Sequence, residues 1–479
     1  MRLILTGAAL LSGLLLSAQT LRTDTLVAPA MLTDLDSIAE LVATTHVDPT
    51  YYATEVAWQN ALEWAEHTCS QPLTRAEWAS VVARLLRTLE DSHTYLNFGS
   101  LIKASQADRP WTVDLTFAAE NDTVYVVKDL SGQLQPGTQV LRWNALPMSQ
   151  ALYEVRNYGI REGASTHASE AVHQVLLGNL LPLLVHVDST NALEVLIDGT
   201  PTAISYDARN ATAKRSRKER PESPPTWSLD TDGDRAVLKV RSFSSGGTGA
   251  YYRFLRKSFK QLEREGIEHL VLDIRHNTGG SSGRMEALMR YVLADSLAIP
   301  NRIAVRQSPN SKALLESKAG RIKLWLMQRI AKRDEQVAHY LHMRELPIGA
   351  RDTLVYTAKP PIEKHRFDGK CYLFMDGLSG SASVSMASVF RQHERGLILG
   401  TPCLGPMSGT WGNPAVVHLP ETELDIVVST LRFDATGYFD RTPTSIVPDH
   451  WLAPTRLDVA AGNDVYLDFV DALLAIPMH

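Results

Sequence analysis

An apolar strand, Val271-Leu272-Asp273-Ile274, runs into the polar turn Arg275-His276-Asn277-Thr278 and stops at Gly279-Gly280. Farther along, the strand Cys371-Tyr372-Leu373-Phe374-Met375 ends at Ser379-Gly380-Ser381-Ala382-Ser383. Bare backbone N–H groups on the first segment and a hydroxyl at a helix start on the second are the parts of a serine hydrolase: an oxyanion site and a nucleophile. In that reading Ser381 attacks, and the amides of Ala382 and of Gly279 or Gly280 hold the oxyanion. A plainer reading is that Ser379, Ser381 or Ser383 only caps the helix.

Both segments need a scaffold. Residues 227–479 alternate strand and helix: Ala236–Val240 as strand, Tyr251–Glu265 as helix, Leu270–Ile274 as strand, Arg284–Leu293 as helix. Cys371–Met375, Ala382–His393 and Leu397–Leu399 continue the order. That alternation predicts βαβ units with helices covering a mostly parallel sheet. Residues 19–104 carry apolar residues at helical spacing, notably Trp78, Val81, Val82, Leu85 and Leu86. Residues 105–210 mix strands with the helical stretch Met148–Val155, as a small α+β module would. Lys214–Arg220 followed by Pro221–Pro225 makes 211–226 a charged, proline-rich linker.

The Asp273-x-Arg275-x-Asn277-x-Gly279-Gly280 pattern resembles the signature of the S41 peptidases, the tail-specific or C-terminal processing proteases. Ser381-Ala382-Ser383 matches their nucleophile motif, Gly400 the glycine ending their next strand, and Ile446–Asp449 their C-terminal Pro-Asp segment. Gly137–Leu146 is similar to the strand and turn of their PDZ-like domain. The resemblance implies an α/β catalytic core of ClpP/crotonase-like βαβ units, an N-terminal helical region and a PDZ-like α+β module. It implies a polypeptide substrate and no cofactor or metal. Asp273, Arg275 and Asn277 would support the site.

One departure bears on mechanism. The bacterial processing proteases place a general-base lysine where this chain has Leu404-Gly405-Pro406-Met407, and no lysine follows Lys370. Another base is needed. Asp91-Ser92-His93-Thr94 resembles the Ser-His pair of the tricorn-type branch, with His93 as base and Ser92 beside it. A histidine can be neutral and accept a proton near pH 7. That branch orients its histidine with a C-terminal glutamate; here Asp434, Asp440 and Asp449 occupy the comparable region, and Asp440 is the favoured candidate. A non-catalytic ligand-binding protein on the same scaffold is the rival reading.

Composition sets the outer bounds. The net charge of 48 − 53 = −5 argues against a nucleic-acid partner. Arg2, the apolar run Leu3–Leu16 and Ser17-Ala18 read as a signal peptide over 1–18, implying export to a periplasmic or extracellular space with no integral membrane segment afterwards. Cys69, Cys371 and Cys403 are scattered and read as structural. His339 and His342 lack a clear third ligand for zinc. The insertion 311–345 holds eight Lys/Arg against three Asp/Glu between Lys312 and Arg344. It suits a lid or a membrane-surface contact, or more plainly a helical hairpin packed on the body.

Overall fold

The structure is a computed structural model, which describes residues 25–99, 101–102, 111–185, 187–210, 224–293, 299–317, 321–332, 335–358, 363–435 and 442–475. The expected signal peptide 1–18, most of the expected linker 211–226 and Asp440 lie outside the described residues. The fold is mixed α/β.

The N-terminal part of the described chain holds three helices: α1 (Ala28–Thr45), α2 (Glu55–Cys69) and α3 (Arg75–Arg87). A capping box starts α3: Thr74 Oγ1 accepts from the Glu77 amide, and the Glu77 carboxylate accepts from the Thr74 amide at 2.7 Å. Trp78, Val81, Val82, Leu85 and Leu86 are all buried, so the helical spacing marks the face that packs. After α3 the chain turns through Glu90 at φ 52 and enters β1 (Tyr95–Leu96).

A second sheet follows, built from β2 (Leu115–Glu120), β3 (Thr123–Asp129), β4 (Gln139–Trp143), β5 (Thr190–Ile197) and β6 (Thr200–Asp207). Its antiparallel order is β6-β5-β4-β3-β2. Helices α4 (Met148–Tyr158) and α5 (Thr166–Leu184) pack with it. Their apolar side chains merge with those of α1–α3 into one core.

The large sheet is built from β7 (Trp227–Asp232), β8 (Arg235–Val240), β9 (His269–Asp273) and, after two intervening strands, Lys370–Met375, Gly396–Gly400 and His450–Trp451. The intervening pair is β10 (Ile299–Arg306) and β11 (Arg351–Ala358), which makes the later three β12, β13 and β18. The order is β7-β8-β9-β12-β13-β18, antiparallel only between β7 and β8. Helices α6 (Thr248–Glu265) and α7 (Ser282–Val292), with Ala382–Gln392, share one apolar cluster with the sheet. The other face packs against the C-terminal helix through Tyr466 and Val470. A parallel sheet covered on both faces explains why Leu270–Asp273 and Cys371–Met375 are wholly buried and apolar-rich rather than alternating.

The insertion after β10 is three helices, α8 (Pro309–Ser317), α9 (Arg321–Ile330) and α10 (Glu335–Glu345), which makes Ala382–Gln392 α11. The strands Thr410–Gly412 (β14), Ala415–His418 (β15), Asp425–Val428 (β16) and Leu431–Ala435 (β17) complete the core. β16 pairs with β1, so the N-terminal region is stitched to the C-terminal half by backbone hydrogen bonds. Among the described residues, no helix is long and apolar enough to cross a membrane.

Candidate active site

Strands β9 and β12 are parallel neighbours, with Asp273 opposite Phe374. The segments that leave them therefore emerge side by side at the carboxyl edge of the sheet, where open α/β folds place their sites. One segment is Arg275–Gly280. The other is Asp376–Ser381, which feeds directly into α11.

Ser381 ends the second segment, at the start of α11. Its backbone has φ 53 and ψ −119, a conformation that costs a non-glycine residue roughly 1–3 kcal/mol. Its hydroxyl makes no capping hydrogen bond. The neighbouring serines have other duties: Ser379 Oγ donates to the Ile274 carbonyl at 2.9 Å, and Ser383 Oγ donates to the Asn277 carbonyl at 2.7 Å. Gly380 N donates to the same Asn277 carbonyl at 3.0 Å. These bonds to the adjacent loop hold the strained turn. A sharp strand-to-helix turn that presents one free hydroxyl is the arrangement a serine nucleophile needs.

Asn277 is fully buried and works from both ends. Its Nδ2 donates to the Val240 carbonyl at 2.8 Å, and its Oδ1 accepts from the Gly279 amide at 2.9 Å. The Gly279 N–H is thus already used. A Cβ on Gly279 would lie 2.6 Å from Ser381 Cβ and 2.9 Å from Ala382 N, and its φ is +100. Glycine there is a steric requirement of the serine turn. Among the described residues, the Gly280 and Ala382 amides have no acceptor. Asp273 and Arg275 face elsewhere: Arg275 bridges Asp273 and Asp464, every bond being 2.8 or 2.9 Å, and stacks over Tyr466 at 4.4 Å. They strap the C-terminal helix to the sheet.

His93 sits in the turn between α3 and β1. Its Nδ1 lies 3.2 Å from Ser92 Oγ, 3.7 Å from Glu162 Oε2 and 4.0 Å from Asp91 Oδ1. Ser92 Oγ donates its proton to Glu162. Its oxygen therefore accepts from Nδ1–H, which makes Nδ1 the protonated nitrogen. Nε2 is left with no hydrogen bond among the described residues.

Two buried carboxylates thus flank one imidazole; burial raises both, and their neighbours set them apart. Glu162 is raised above the usual carboxylate range, chiefly by burial; the His93 charge opposes this and the Asp91 charge adds to it. Burial alone would raise Asp91 too, but the hydrogen bond from His46, the charges of His46 and His93, and the Ser429 hydroxyl bring it below the ordinary value. Asp91 accepts from His46 Nε2 at 3.0 Å, Thr94 Oγ1 at 2.6 Å, Ser429 Oγ at 2.5 Å and the His93 amide at 2.7 Å.

The loop 403–411 touches both halves. Leu404 N donates to the Ser379 carbonyl at 2.9 Å, and Gly380 bridges Leu404. The next residue, Gly405, lies against both Val384 of α11 and the Glu162 carboxylate; an added Cβ would be 3.2 Å and 3.4 Å from them. Trp411 N then reaches Glu162 Oε1 at 3.4 Å. The serine turn and the acid behind His93 therefore share one wall. Pro406, at the position where the resemblance expects a lysine, bridges Ser445.

Glu162 had no sequence signal. It lies between α4 and α5, clamped where Gly163 N donates to the Glu90 carbonyl at 3.0 Å and Ala164 N to the Pro443 carbonyl at 2.8 Å. Those long-range bonds help to bring it to His93. Asp434, another sequence candidate, is buried but engaged by Arg302 and Arg432, each at 2.7 Å. Asp449 accepts from Arg391 at 2.5 Å and from the Ile398 amide at 2.7 Å. All three cysteines are free and buried, and burial pushes the Cys371 and Cys403 thiols up to about 12. His342 pairs with Asp352 at 2.6 Å.

Comparison with known proteins follows the same lines. Residues 234–440 match the model of peptidase family S41. The crystal structure of mature CPAF aligns over 93% of this chain and 97% of its own, with a TM-score of 0.64 at 15% identity. Mature CPAF complexed with lactacystin aligns over 94% and 98%, with a TM-score of 0.65 at 16% identity. At such identities the likeness speaks for the fold. No curated protein matches the chain by sequence. The family match gives the class: the protein is a serine-type peptidase.

Proposed function

We propose that the protein is an exported endopeptidase or carboxy-terminal peptidase that uses Ser381 as nucleophile and His93 as general base. The observation that carries this reading is the strained Ser381 turn, whose hydroxyl alone among three neighbouring serines is left uncommitted. Ser381 Oγ attacks the peptide carbonyl while its proton passes to His93 Nε2. The new imidazolium is stabilised by Glu162, through Ser92, and by the ionised Asp91. The oxyanion is received by the Ala382 amide at the N-terminus of α11 and by the Gly280 amide. Gly279 contributes space and chain direction, because its own N–H is bonded to Asn277. The tetrahedral adduct collapses, the C–N bond breaks, and His93 returns its proton to the leaving amine. Water then hydrolyses the acyl-enzyme by the same base.

This puts the enzyme with the Ser-His branch of its class. Pro406 and the absence of lysine beyond Lys370 support that choice. We assign the orienting role to Glu162; Asp440 is the residue to test against it. The sheet β2–β6 with α4 and α5 is suited to receive an extended peptide by strand addition, in the manner of a PDZ-like module.

A serine-directed fluorophosphonate should label the protein, and Ser381→Ala should abolish labelling while the fold persists. Full labelling of Ser381→Ala would remove Ser381 from the mechanism. A carrier role on the same scaffold would show neither labelling nor products when peptide mixtures are incubated with wild type and followed by mass spectrometry.

A further inference from the structure

The insertion's three helices are not equivalent. Leu315 of α8 and Met343 of α10 are buried with Ile303, Val305, Leu354 and Leu431, and Tyr340 Oη donates to the Leu315 carbonyl at 2.6 Å. These two helices are anchored, as a packed hairpin would be. Helix α9 between them contributes no described side chain to that core. Instead Trp325, Leu326 and Ile330 are 53%, 50% and 40% exposed.

At about 100° per residue, Trp325, Arg329, Leu326 and Ile330 fall within one arc of roughly 140°. The Arg329 guanidinium lies over the Trp325 ring, 3.8 Å from its centroid. Between 321 and 332 the sequence holds Arg321, Lys323, Arg329 and Lys332 with no Asp or Glu, in a chain of net charge −5. The cations are concentrated on the helix that exposes its apolar side chains.

A second copy of the chain would meet this arc with like charge. An anionic lipid surface matches both features: the acyl boundary takes Trp325, Leu326 and Ile330, and the headgroups take the cations. We propose that α9 seats the protein on an anionic membrane surface. The helix lies in the interface and does not span, since ten residues reach only about 15 Å. The proposal rests on the insertion and not on the catalytic reading, so either can fail alone.

The test uses the chain lacking the apolar leader Met1–Ala18, incubated with phosphatidylcholine vesicles with and without phosphatidylglycerol, then sedimented. Binding is expected to the phosphatidylglycerol vesicles, weakened by salt, with little binding to phosphatidylcholine alone. Trp325→Ser with Ile330→Ser should lower partitioning about tenfold or more, as should Arg329→Gln with Lys332→Gln. Far-ultraviolet circular dichroism and a thermal melt of each variant report that the body is intact. Absence of binding to phosphatidylglycerol vesicles, or binding that neither variant pair weakens, overturns the proposal. So does self-association in sedimentation velocity that Trp325→Ser abolishes, which would give the arc to a second copy.

Discussion

Ser381 combines a helix-start position with backbone strain. Glycine adopts positive φ without penalty, whereas alanine does not. Ser381→Gly and Ser381→Ala should both be inactive, yet the glycine variant should be the more stable by about 1 kcal/mol in urea denaturation, the strain relief exceeding the added unfolded-state entropy. Equal stability would show that the turn is not strained. The carboxylates behind His93 make a second residue-scale test, because their shifts have opposite signs. Glu162 is held above its ordinary range, so its contribution to stability is most favourable below the unfolded carboxylate value and is lost as pH rises through the folded value. Glu162→Gln should therefore gain stability relative to wild type as pH rises, while losing about tenfold or more in kcat. Asp91 is lowered, so its contribution is present above the unfolded value and lost as pH falls through the folded one. Asp91→Asn should be less stable at neutral pH, by about 2 kcal/mol given the donors it leaves poorly met, with the gap closing in acid. Thermal melts of both variants across pH read the two signs directly.

At the scale of elements, the site depends on two loops leaving adjacent parallel strands. Asn277 fastens them: its carbonyl receives Gly380 and Ser383, while its side chain holds Gly279 and Val240. Gly279→Ala would drive a methyl group into Ser381 and Ala382. Overpacking of this kind typically costs about 1–3 kcal/mol, and here it also displaces Ser381. Fluorophosphonate labelling of Gly279→Ala should slow by more than its thermal shift accounts for; normal labelling would mean the loop tolerates the methyl group. The strands themselves were legible in sequence because both read as short, continuous apolar runs ending at glycine. The insertion was legible as helical, but not as two anchored helices around an exposed one, since that division depends on what lies beneath each.

Across the whole molecule, the proposed base and the proposed nucleophile lie far apart along the chain, at His93 and Ser381. β1 pairs with β16, Ser429 N donates to Thr94 Oγ1 at 3.1 Å, and Asn97 N donates to the Asp425 carbonyl at 2.8 Å. These contacts bring the His93 turn to the core that carries Ser381. Removing residues 25–96 should leave no peptidase activity even where residues 227–475 remain folded. A truncated core that still cleaved peptides would dismiss His93 as the base.

Local chemistry determined much of this protein directly from its residues. Glycine pairs, a serine before a helix, apolar strands and helical periodicity act over short separations, and they marked the parallel core, the candidate serine turn and the Asn277–Gly280 loop; the resemblance to a known family singled out His93. Tertiary structure decided what local pattern does not encode: that Gly279 has already used its amide, that Ser379 and Ser383 are committed elsewhere, and that Glu162 stands behind His93. A lone glutamate between two helices carries no periodicity and no motif. Its place behind His93 arises from burial, from the bonds of Gly163 to Glu90 and of Ala164 to Pro443, and from its own contact with Trp411, groups that are distant along the chain and meet only when it folds.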